Sequence, residues 1–258
     1  MRLGLWFFRQ PEEKVLLMPL TIGVLIIGSL YWRNGKRRRW RDWRLDVDRK
    51  WVVKTPIRYG RLSQNNTYTM VFFRHSSEDQ LGQAIVAPCR HGVSSSADLI
   101  KEAEWLWSAE NNEVPSLCCS SPKQSISANW GGCVALMGNP ESEIPHNLLS
   151  EWATHVAKHY QAEERRLVDA QGILQVPWPK LSLDNSLAPI DLLLATSNDR
   201  ELHYPTVQQI ADAWRQHPKV DYFPKNRENE IETFEDQEIL ARMQVQQPTA
   251  RPPDAGAS

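Results

Sequence analysis

The stretch VLLMPLTIGVLIIGSLYW, residues 15–32, decides how the rest of the chain is read. It carries no charged side chain, and as a helix rising about 1.5 Å per residue it would reach roughly 27 Å, enough for a thin bilayer core. Tyr31 and Trp32 close it where an aromatic belt would lie. Pro19, Gly23 and Gly28 weaken a soluble helix, whereas lipid offers the backbone no competing hydrogen-bond partner. A cleaved signal would need a small-residue site after the apolar run, and a soluble amphipathic helix would need a polar face. Neither is present, so the stretch is expected to be one transmembrane helix.

Working outward, the next residues are strongly basic: RNGKRRRWRDWR spans residues 33–44. Cations crowd the downstream flank far more than the upstream one, and the positive-inside bias then sets the orientation. The expected localisation is a single-pass membrane protein with its N-terminus outside and its C-terminal domain in the cytoplasm. Trp32, Lys36, Arg37, Arg38, Arg39, Trp40, Arg41, Trp43 and Arg44 are the expected membrane-interface residues, with the bilayer as partner. In that orientation the potential sequon at Asn65 would face no secretory lumen. The expected organisation is a short extracytoplasmic segment (1–14), the span (15–32), a basic juxtamembrane segment (33–54), a domain (55–243) and a disordered tail (244–258).

The net charge of −1 argues against a protein that is basic throughout, because acidic segments such as NRENEIETFEDQE offset the basic cluster. Four cysteines, Cys118 and Cys119 among them adjacent, show no disulfide spacing and suit a reducing compartment. Within 55–243, strand-like runs at residues 67–73, 81–88, 127–138, 172–176 and 190–197 alternate with helix-like ones. The first two runs read as a hairpin. Ser95 with Asp98, and Thr206 with Gln209, have the spacing of capping boxes, and a last helix is expected from near Thr233, with Asp236 at the capping position. The expected fold is an α/β (or α+β) cytoplasmic domain with a mixed sheet flanked by helices, preceded by the one N-terminal transmembrane helix.

No phosphate-binding glycine loop and no nucleophile elbow occurs in the sequence. Cys89, Arg90 and His91 follow a strand, and a thiol beside cationic groups can ionise, which makes Cys89 and His91 weak catalytic candidates. If three strands ran parallel, their ends would gather Cys89, Arg90, His91, Asn139, Thr196, Ser197, Asn198 and Asp199 in one crevice, a candidate site for a small-molecule ligand. Glu151, His155 and His159 share a helical stripe but lack companion ligands, so no metal site is assigned and no cofactor is implied. Trp105 falls off its helix's apolar face, a candidate for a partner surface. The leading functional expectation is an accessory or scaffold subunit that binds other protein subunits of a membrane-associated complex. The alternative is a membrane-tethered enzyme or ligand-binding domain using the strand-end crevice. Nucleic acid is disfavoured, because the basic cluster abuts the apolar run and no DNA-binding motif follows.

Overall fold

The structure, a computed structural model, describes residues 18–74, 77–110, 132–157, 167–181, 190–198 and 204–244. In chain order its elements are β1 (Ile22–Ile26), α1 (Lys36–Arg44), β2 (Trp51–Thr55), β3 (Ile57–Leu62), β4 (Tyr68–Phe72), β5 (Gly82–Pro88), α2 (Ser96–Glu110), β6 (Gly132–Gly138), α3 (His146–Ala157), β7 (Lys180–Leu181), β8 (Leu192–Asn198), α4 (Val207–Gln216), α5 (Tyr222–Glu228) and α6 (Asp236–Gln244). Six strands form a mixed sheet in the order β6-β8-β1-β5-β2-β7, and β3 with β4 forms a separate two-stranded sheet. The expected α/β architecture with a mixed, helix-flanked sheet is therefore present.

The transmembrane helix is not. Among the described residues no helix is long and apolar enough to cross a membrane, and the middle of the apolar stretch is β1. This strand pairs parallel with β8 on one side and antiparallel with β5 on the other. All five of its residues are buried. A strand hydrogen-bonded on both edges and covered on both faces has no solvent-facing position, so it reads as an unbroken apolar run. By hydropathy alone such a run looks like a membrane span. The β-branched residues Ile22, Val24, Ile26 and Ile27 between Pro19 and Gly28 suit a strand, but the pairing on both edges is what decides it. Gly28 then opens the turn, where Tyr31 donates its amide to the Gly28 carbonyl at 3.0 Å. A Cβ at Gly28 would run into the Tyr222 hydroxyl, so the turn passes close under α5.

The remaining departures follow from the same sheet. The expected hairpin of 67–73 with 81–88 does not form, because β4 pairs with β3, while β5 lies between β1 and β2. Residues 172–176 make only isolated bridges, Ile173 to Leu136 and Leu174 to Val168, rather than a strand. The last helix begins at Asp236, after a turn in which Thr233 donates its amide to Asp236 Oδ1 at 2.9 Å. Helix α2 packs against both α1 and α3 and lies on β6 and β8. A second group, α4 to α6 with the β3-β4 sheet, is joined by aromatic contacts: Trp214 stacks on Tyr222 at 6.2 Å, and Tyr59 meets Phe223 at 5.9 Å. The expected N-terminal segment 1–14, Cys118, Cys119, His159, Asp199 and the tail beyond residue 244 lie outside the described residues.

Candidate functional site

The basic cluster folds as α1, and helical spacing sorts its arginines into two populations. Arg37, Trp40, Arg41 and Arg44 recur at i, i+3, i+4 and i+7 and turn inward, the first three buried and Arg44 largely so. Arg38, Arg39, Asp42 and Trp43 turn outward and are exposed. Of the residues expected at a membrane interface, Trp40, Arg37 and Arg41 are instead buried in the fold, while Trp43 is 58% exposed.

Each inward arginine has a distinct task. Arg37 donates to Ser29 Oγ at 2.6 Å, to Glu110 Oε2 at 2.8 Å, and more loosely to the Ala109 and Glu110 carbonyls. It therefore pairs with Glu110 and donates to carbonyls in the last described turn of α2. Arg44 grips Glu102 with two donors, Nε to Oε2 at 3.1 Å and Nη2 to Oε1. Arg37 with Glu110 and Arg44 with Glu102 make α1 and α2 antiparallel. The spacings match, since seven residues of one helix rise about 10.5 Å and eight of the other about 12 Å. Arg41 donates through Nη1 to the Leu30 carbonyl and to the Arg33 carbonyl, the latter at 3.0 Å. Burial lowers its pKa to about 10, against the opposing pull of Asp42 and Tyr31, so it is still cationic at neutral pH.

Beside α1 lies a cleft of about 740 Å³, within the range of small-molecule sites. The turn Tyr31–Asn34 and Arg41 form one wall; Asp221, Lys225, Glu228 and Asn229 at α5 form the other. Trp32 is anchored there by its Nε1 donating to Asn226 Oδ1 at 2.6 Å and by an edge contact with Tyr222. Lys50 Nζ sits 5.2 Å above the Tyr31 ring and pairs with Glu230 at 3.0 Å.

The strand-end residues are dispersed. Cys89 donates its amide to the Ile22 carbonyl at 2.7 Å, beside the start of β1, and Asn139 donates to the Ile190 carbonyl at 2.9 Å, beside the start of β8. Thr196 and Ser197 pair with Val134 and Cys133 near the other end of β8, roughly 13 Å further along the strand. The sheet is mixed here: β5 and β6 run opposite to β1 and β8, so the four strands' carboxyl ends point two ways. Burial pushes the Cys89 thiol up to about 12, with Arg44 pulling weakly the other way, and a neutral thiol is a poor nucleophile. Arg90 and His91 are exposed. Asn139 is spent on its own turn, accepting from the Glu141 amide at 3.0 Å. Trp105 is half-buried and packs against the core. No group of three His, Cys, Asp or Glu side chains among the described residues is placed to hold a metal ion.

Sequence reasoning saw the arginines but not their division. Part of the signal was available: an i, i+3, i+4, i+7 stripe in residues 37–44, and Glu102 and Glu110 eight apart in α2. Compared with known protein families, curated proteins and solved structures, the chain shows no match.

Proposed function

We propose that this protein is a binding module, an accessory subunit of a larger complex that docks through the outer face of α1 onto an acidic surface of a partner protein. The observation that carries the reading is the exposed Trp43, presented with the exposed Arg38 and Arg39 on a helix bolted down by its opposite face. Tryptophan and arginine are the residue types that anchor protein interfaces most often. A helix already fixed by two ion pairs loses little freedom on binding, which favours affinity. Charge complementarity selects an acidic partner, since Asp42 offsets only part of the face, 3.6 Å from Arg38.

The test is site-specific photo-cross-linking from position 43 in cells, combined with flotation of the purified chain on phosphatidylglycerol vesicles. Expected is a stoichiometric adduct with one protein, lost in Arg38→Glu/Arg39→Glu at unchanged melting temperature, and no co-flotation. A chain that floats with anionic vesicles and yields no protein adduct would overturn the reading in favour of lipid docking.

A further inference from the structure

We infer that the cleft between the Tyr31–Asn34 turn and α5 binds a small anion carrying an aromatic or heteroaromatic ring, of about mononucleotide size. Arg41 is the first reason. It is 93% buried (7% exposed), cationic, and committed only through Nη1 to two backbone carbonyls, while no carboxylate of the described residues forms an ion pair with it. A buried charge paired with dipoles alone is costly unless something else completes its surroundings. The free edge of a guanidinium presents parallel donors, the geometry that fits a carboxylate or phosphate. Arg33 lies on the same wall, likewise without an ion pair among the described residues, its guanidinium 5.9 Å from the centre of the Trp32 ring.

The second reason is the character of the walls. Trp32 and Tyr31 supply aromatic surface beside the two guanidiniums, and Trp32 is held in orientation by Asn226 rather than free to rotate. Opposite them Asp221 offers an acceptor suited to ring amino or hydroxyl groups, and Lys225, paired with Glu228 at 2.6 Å, adds a third cation. Three cations against two carboxylates leave the lining net positive, which matches an anion rather than a neutral ring. This inference is independent of the docking surface, because none of Trp43, Arg38 or Arg39 lines the cleft.

Three probes separate the ring from the anion: AMP, adenosine and inorganic phosphate, each titrated calorimetrically into the full chain. AMP is expected to bind, with adenosine and phosphate each weaker by at least about ten-fold. Lys225→Glu, which reverses a charge on the lining and breaks the pair with Glu228, is expected to weaken AMP binding by about ten-fold or more while the chain still unfolds cooperatively. Arg41→Lys keeps the charge and the carbonyl contacts within reach but loses the planar fork, and is expected to weaken AMP while leaving the fold intact. Absence of AMP binding up to about 10 mM, adenosine binding as well as AMP, or indifference to Lys225→Glu would each overturn the inference.

Discussion

At the scale of single residues, Arg37 and Glu110 carry a test of how α1 is held. Their side chains are 7% and 13% exposed. Removing one partner of such a pair leaves a charge uncompensated, whereas removing both spares that cost. Glu110→Ala is therefore expected to destabilise by about 3 kcal/mol, and Arg37→Met with Glu110→Met by much less, read from urea denaturation midpoints. Asp236 carries a second test. Burial raises its pKa to about 6, despite the bonds from Thr233 that pull it down. An unfolded aspartate titrates near 4, so between about 4 and about 6 the native state holds a proton that the unfolded state has lost. Stability from this group is thus full below about 4 and falls as pH rises through about 6, by on the order of 2–3 kcal/mol. Glu235, also raised by burial, acts in the same direction. Asp236→Asn is expected to flatten that slope in denaturation series across this window. For Cys89, whose thiol titrates only near 12, a variant with no other cysteine is expected to alkylate in the folded state ~100-fold or more slowly than when unfolded.

At the scale of elements, local signals in the chain were reliable where the chemistry was local. The Thr206 hydroxyl accepts from the Gln209 amide at 3.3 Å and the Gln209 side chain accepts from the Thr206 amide at 2.8 Å, so the capping box read from spacing forms as written. Ser95 Oγ likewise accepts from the Asp98 amide at 3.2 Å at the start of α2. Thr206→Ala is expected to cost about 1 kcal/mol and Thr206→Ser almost nothing, measured by thermal or chemical unfolding. Gly172 sits at φ +76° with no room for a Cβ, which would come within 2.9 Å of Trp152 Nε1 and of Val156. Both strain and clash are removed only by glycine, and nothing in its neighbours' sequence announces this. Helix α1 was legible as a basic element, but which arginines face inward depends on where α2 lies.

At the scale of the whole molecule, β1 is the decisive element, since it lies inside the six-stranded sheet β6-β8-β1-β5-β2-β7 with strands on both sides. If β1 is the interior strand, Val24 and Leu25 amides will be among the slowest to exchange with deuterium, protected to the level of global unfolding. Val24→Lys, placing a charge where the native side chain is 2% exposed, is expected to prevent folding altogether. A Val24→Lys chain that still unfolds cooperatively would contradict the strand's central place. By itself the amino-acid sequence determined the α/β class, most later elements, two helix starts and the existence of a basic segment. These are properties of periodicity and capping, which act over a few residues. Tertiary structure alone decided that residues 22–26 are a buried strand rather than part of a span, that β5 and β6 oppose β1 and β8 and so scatter the strand-end residues, and that Arg41 faces a cleft. The physical reason is common to all three: an apolar run, a strand's direction and an arginine's partner are defined by what lies across from them, and hydropathy records only that they are out of water.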